Sequence, residues 1–255
     1  MRKISIIALL VVFGGGADAL VRPAPGAVKR RADGGVRPSI GFDHLFILVQ
    51  PNAPERAALE KAGFRVEPAV NRHDGQGTAS VMAEFQDGFI ELMWVDPSVP
   101  VAPGAERANE KFRKRVEWRT SGWSPFGINL SRTKPGVDPT YPFPTWTISM
   151  PWMEPATSIV VLTSRDDTTS PSVSVHPHAT KQSAGKHPNG ARRITHVRIV
   201  TPRDYEPAPA MLYARDQQAI ELAKGDAWCA EVTFDGGKKG KRKDLRPELP
   251  LVVRY

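Results

Sequence analysis

The residues best placed to do chemistry are His44 and Glu91. Each is the one ionisable group on an otherwise apolar strand face. Alternation sets Phe42, His44, Phe46 and Leu48 on one face, and Phe89, Glu91, Met93 and Val95 on one face of the other strand. A buried carboxylate without a partner is costly. Glu91 therefore needs a cation, a histidine or a strong donor beside it. Pairing with His44 meets that need, and so does a bound ion, because neutral imidazole and carboxylate suit zinc, iron, nickel or manganese. His73 is a further candidate. It sits in the polar loop Asn71-Arg72-His73-Asp74-Gly75-Gln76-Gly77, from which a side chain can reach a cavity mouth. Arg198 shares a strand face with His196 and either clamps a carboxylate, faces solvent or pairs with a glutamate.

Several chemistries are excluded by what the sequence lacks. There is no Gly-x-Ser-x-Gly elbow, no phosphate-binding loop and no Cys–His nucleophile pair. The lone cysteine, Cys229, lies in an apolar run and reads as a buried, inert thiol. No intramolecular disulfide can form. His176, His178 and His187 fall in a polar stretch and read as surface histidines.

The elements that must position these groups follow from periodicity and turn signals. Residues 41–50 read as a strand, 53–62 as a helix capped by Asn52 and stopped by Gly63, and 64–67, 78–85 and 89–95 as strands. This is a β-α-β-β-β order. A helix at 107–118 and strands at 127–131, 145–150 and 158–163 follow, and 164–190 reads as a linker. A second β-α-β-β-β order occupies 193–254, and its first strand, Thr195-His196 to Pro202, repeats the pattern of Asp43-His44 to Pro51.

The opening reads as a secretory signal. Arg2 and Lys3 precede an apolar core, Ile4–Phe13, and Ala17-Asp18-Ala19 offers a cleavage site. The apolar core is too short to span a bilayer as a helix. The expectation is a signal peptide at 1–19, a flexible leader at 20–40 and an exported domain at 41–255, with no stable membrane insertion after cleavage. The formal charge of +8 gathers largely in Lys29-Arg30-Arg31 and in 238–243. Neither run is interleaved with stacking aromatics, so no nucleic-acid partner is expected.

The order of motifs resembles the vicinal-oxygen-chelate superfamily, and more narrowly its glyoxalase-like domain proteins. The resemblance rests on Phe42-Asp43-His44-Leu45, His73-Asp74-Gly75-Gln76-Gly77-Thr78, Phe89 to Val95, Ser124-Pro125-Phe126-Gly127-Ile128, Pro142 to Trp146 and Asp244 to Leu251. It implies an α+β fold of paired βαβββ modules, module one at 41–96 and module two at 191–255, with a strand-rich insert at 97–190. It implies metal ligands His44, Glu91 and His196, with Glu91 also catalytic. His73, Arg198, Phe46 and Phe89 are the expected substrate contacts. The last strand offers no carboxylate for a fourth ligand, a departure that puts lactoylglutathione lyase activity in doubt. Two functions lead, beside a third in which the basic loops steer a surface-interaction module onto anionic surfaces. One is a metal-dependent lyase, isomerase or dioxygenase-like enzyme acting on a small oxygenated substrate. The other is a non-catalytic protein holding a small molecule in the same cavity. Either is compatible with a homodimer.

Overall fold

The structure is a computed structural model that describes residues 39–134, 138–150, 153–154, 157–180 and 185–255. The expected signal peptide and all but the last two residues of the expected leader lie outside the described residues. Ile40 already opens the first strand, and the described residues belong to one compact unit.

The fold is α+β and strand-rich. Its elements are β1 (Ile40–Leu48), α1 (Arg56–Lys61), β2 (Asn71–His73), β3 (Thr78–Phe85), β4 (Gly88–Val95), α2 (Glu106–Val116), α3 (Trp118–Ser121), β5 (Phe126–Arg132), β6 (Trp146–Ile148), β7 (Ile159–Val161) and β8 (Ser172–His176). These are followed by β9 (Ile194–Pro202), α4 (Pro209–Asp216), β10 (Glu221–Gly225), β11 (Cys229–Phe234), β12 (Arg242–Asp244) and β13 (Leu251–Arg254).

Strand order reveals where the repeat lies. One sheet runs β2-β3-β4-β1-β5-β8-β7-β6. Its halves have the same plan: the first strand pairs in parallel with the last (β1 with β4, β5 with β8), and the middle strands extend outward antiparallel. The antiparallel pair β1–β5 joins the halves. The paired modules are therefore 40–95 and 126–176, and the stretch expected as an insert supplies the second. No helix appears among the described residues between β5 and β6, the place that corresponds to the crossover helix of the first half.

The segment expected as module two is a separate five-stranded sheet, β10-β9-β11-β13-β12. There the chain leaves β9, forms α4 and returns directly into the neighbouring parallel strand β10. In module one it leaves β1 through α1 and returns at the far edge. The shared His-to-Pro pattern of β1 and β9 is thus a strand-level resemblance without a shared topology.

Alternation assigns the two faces of the large sheet. Leu45, Ile47, Val81, Phe85, Ile90, Leu92, Ile128, Val173 and Val175 enter the main core, which they share with Val197, Ile199, Val232, Phe234 and Val253 of the small sheet. Phe85 and Phe234 mark this junction, with ring centroids 4.5 Å apart. The opposite face carries His44, Phe46, Phe89, Glu91 and Met93. Helix α2 lies against that face through Phe112 and Val116, which pack with Phe46, Leu48 and Met93. Basic Arg113, Lys114 and Arg115 fill its last turn, where the helix dipole favours cations.

Local details differ from expectation around α1. Asn52 and Ala53 adopt left-handed backbone (φ 64° and 48°) and form a turn, so the helix begins only at Arg56 and Asn52 does not cap it. Gly63 does end it, at φ 84°.

Candidate functional site

A cavity of about 740 Å³ lies over the open face of the large sheet, and its lining includes His44, Phe46, His73, Met82, Phe89, Glu91, Met93, Phe112, Arg115, Asn129, Ser172, Ser174 and His176. Aromatic and thioether side chains make much of the wall, and the polar groups converge from both halves of the sheet.

The first cluster is built on β1, β4 and the β2–β3 hairpin. A β-bulge between Phe42 and His44 breaks the alternation of β1 and sets the Asp43 carboxylate beside the next residue's ring. His44 Nδ1–H donates to Asp43 Oδ1 at 2.7 Å. Asp43 also accepts from the backbone N–H and the hydroxyl of Thr180, both at 2.9 Å. Burial would raise the Asp43 pKa, but the His44 hydrogen bond and charge and the Thr180 N–H outweigh it and hold it at about 2. The carboxylate is therefore ionised, and it fixes both the tautomer and the direction of His44. Phe89 stacks on the His44 ring at 4.0 Å and 16°.

His44 Nε2 then faces Glu91 Oε2 at 3.9 Å, and His73 Nε2 faces the other oxygen at 3.5 Å. His73 is itself held by Thr78 Oγ1, 2.9 Å from its Nδ1. With Nδ1 of His44 committed to Asp43, its Nε2 is the ring atom left to face the cavity and Glu91. The Glu91 carboxylate is only 6% exposed, and at 3.9 Å it is beyond hydrogen-bond distance of His44 Nε2. A ligand's donor group or a cation between them would give the buried carboxylate the partner it needs.

The second cluster occupies the matching positions of the other half. Phe46 pairs with Glu91 across β1–β4, and Ser131 pairs with His176 across β5–β8. His44 and Asn129, each two residues earlier on its strand, are cross-strand partners. The counterparts of His44 and Glu91 are thus Asn129 and His176. Asn129 Oδ1 accepts from Ser174 Oγ at 2.5 Å and lies 3.2 Å from His176 Nε2, while Asn129 Nδ2 is buried without a hydrogen-bond partner. The His44 and His176 rings meet edge-on at 5.3 Å. Burial, reinforced by His44, pushes the His176 pKa down to about 3 against the pull of Asp43.

The structure brings His44, Phe46, His73, Phe89 and Glu91 to one cavity. It does not bring His196 or Arg198 there. His196 Nε2 lies 3.0 Å from Glu221, and Arg198 bridges Glu221 (2.8 Å) and Glu231 (3.3 Å) on the outer face of the small sheet. The reason is topological: β9 belongs to the small sheet, so its histidine cannot serve as the repeat partner of His44. Asn129 and His176 take this place; Asn129 lies on a strand that was expected but was not singled out, and His176 was missed because 164–190 is polar overall. The signal was present in Ser172-Val173-Ser174-Val175-His176, a clean alternation of period two. His187 is likewise buried, between Phe64 and Phe85.

The fit to a metal ion is partial. Two imidazole nitrogens flank one carboxylate, and the Asp43–His44 bond is of the kind that orients metal-ligating histidines. Yet among the described residues no group of three or more His, Cys, Asp or Glu side chains is gathered to hold an ion. His176 Nε2 is turned to Asn129, and Asn129 is a weaker donor than a carboxylate.

Comparison with known proteins agrees with the first module. Residues 42–135 match a family model described as a glyoxalase-like domain, of the vicinal-oxygen-chelate superfamily. Among solved structures, the crystal structure of a hypothetical protein from Staphylococcus aureus aligns with 10% identity and a TM-score of 0.43, over 85% of this chain and 98% of that one. No curated protein matches the chain.

Proposed function

We propose that this chain, which carries a glyoxalase-like domain at residues 42–135, is a small-molecule-binding protein whose ligand occupies the cavity over the eight-stranded sheet. One observation carries the reading. The Glu91 carboxylate and the Nε2 atoms of His44 and His73 face one another at 3.5 and 3.9 Å inside a cavity of about 740 Å³. A ligand hydroxyl or amine would donate to Glu91, a carboxylate only 6% exposed. Phe46, Phe89, Met82 and Met93 would cover its apolar body, the combination of apolar wall and few polar anchors typical of ligand sites.

A second reading is favoured by the Asp43–His44 hydrogen bond. In it the protein is a metal-dependent lyase, isomerase or dioxygenase-like enzyme on a small oxygenated substrate. His44, His73 and Glu91 would hold the divalent ion, which would supply Lewis-acid polarisation of substrate oxygens. Asn129 and His176 would then serve the ligand rather than the ion.

Thermal unfolding against a library of small oxygenated compounds, with and without chelator, separates the two. Stabilisation that survives chelation supports the binding protein. Stabilisation lost with chelator and restored by zinc, nickel, manganese or ferrous iron supports the enzyme. No stabilisation under either condition removes both. We further propose that residues 1–19 direct export, on the charge, apolar core and small-residue site already described. The intact mass of protein recovered from the periplasm or medium tests this, since cleavage after Ala19 leaves Leu20 as the first residue.

A further inference from the structure

We propose that Arg115 and Ser172 form an anion-binding end of the cavity, so that the ligand carries a carboxylate. The inference rests on the cavity reading above and adds the ligand's class. Arg115 projects from the last turn of α2 and is 2% exposed. Its Nε donates to Ser124 O at 2.6 Å, its Nη1 to Ser172 Oγ at 2.7 Å and its Nη2 to Phe126 O. These acceptors are all neutral, and they use three of the five guanidinium N–H groups. No carboxylate stands within 4.0 Å of Arg115 among the described residues. Asp167, whose field reaches it, is already engaged by the backbone N–H groups of Thr169 and Ser170. A buried cation without an ion partner is costly. An anion arriving through the cavity that Arg115 lines would meet that cost.

The sheet register places this end opposite the first cluster. Glu91, Phe46, Gly127 and Ser172 are successive cross-strand partners along β4, β1, β5 and β8. Three strand spacings separate Glu91 from Ser172, about 14 Å between backbones. The floor between them is apolar and flat, because the Phe46 ring lies directly over Gly127, where a Cβ would sit 1.8 Å from it. Ser172 accepts from Arg115, so its own proton is left to donate. The geometry suits a carboxylic acid with an aromatic or short aliphatic body.

The test is a panel of matched acids and primary amides: benzoate and benzamide, 3-(4-hydroxyphenyl)propionate and its amide, octanoate and octanamide. Binding to the full chain is read by calorimetry and thermal unfolding. The proposal expects at least one acid to bind about tenfold or more tighter than its amide, the scale of one charge-assisted contact. It expects that preference to fall in Ser172→Ala and to vanish in Arg115→Met. Should Arg115→Met fail to fold for want of its carbonyl contacts, Ser172→Ala alone decides. Acids and amides binding equally would overturn the anion end and leave the cavity reading standing. An acid preference unchanged in Ser172→Ala would place the carboxylate elsewhere and also overturn it. No binding by any member would overturn both readings.

Discussion

His44 and Asn129 are direct partners across the antiparallel pair β1–β5, at the seam where the two halves of the large sheet meet. They hold matching positions in the two modules but differ in chemistry. His44 is oriented by a carboxylate, whereas Asn129 accepts from Ser174 and keeps a buried, unpartnered Nδ2. At the seam itself, a carboxylate-bound imidazole on one side thus faces a neutral amide on the other.

That asymmetry predicts the effect of Asn129→Asp. A carboxylate at this position would face His176 and complete a donor set from both halves. Affinity for zinc, measured by isothermal calorimetry, is expected to rise by about tenfold or more, the worth of one added charged contact. Unchanged affinity would show that the two halves do not share one site.

Asp43 holds two elements at once, the His44 ring and the Thr180 backbone. Asp43→Ala would leave both without an acceptor, and a cost of about 2–4 kcal/mol is expected from two lost buried contacts to a charged group. Asp43→Asn keeps an acceptor and is expected to cost less. Urea unfolding of both variants checks the order, and equal losses would mean that a neutral acceptor recovers nothing and that the charge carries both contacts.

Gly127 is needed because the Phe46 ring occupies the space of its side chain. Gly127→Ala is expected to destabilise by about 1–3 kcal/mol, as overpacking does. Adding Phe46→Leu should recover part of this loss, so the two changes should be non-additive in a double-mutant cycle. Additive losses would contradict the contact.

Much of the first module was legible in the sequence. Strands β3 and β4 announce themselves by alternation, and the burial of Glu91 among Phe89 and Met93 pointed to a partner before any contact was known. The second module was not legible, because its closing strand β8 sits in a stretch whose Ser, Thr, Pro and His content suggests a loop. Alternation over five residues was too short a signal to outweigh composition. His196 misled for the opposite reason: a local pattern of His and Pro recurred on a strand whose sheet has a different order. Arg115 was hidden because a basic residue late in a helix ordinarily serves the helix dipole in solvent, whereas here a short connection turns it onto the start of β5.

His187 gives a pH dependence. Its Nδ1 accepts from the Arg65 N–H and its Nε2–H donates to Glu84 O, both at 2.9 Å, so the neutral ring is fixed on both sides. Burial lowers its pKa, against a smaller opposing effect from the Glu84 bond. The folded state therefore binds this proton less readily than the unfolded state. Stability should be full above the ordinary histidine value of about 6.5 and fall as pH drops below it. Unfolding of His187→Gln, followed from pH 7.5 down to pH 5, should show a flatter decline than wild type. Parallel curves would exclude His187 as the source.

The central claim is that the cavity around Glu91 is the functional site. Its most direct test is the dissociation constant of the tightest-binding compound for wild type and for Glu91→Gln, both shown to be folded and measured in chelator. Gln keeps the shape and removes the charge that a ligand's donor would meet. The account predicts at least about a tenfold loss of affinity in Glu91→Gln, the scale of a buried hydrogen bond to a charged group. Equal affinity for the two proteins would place the ligand away from Glu91 and contradict it.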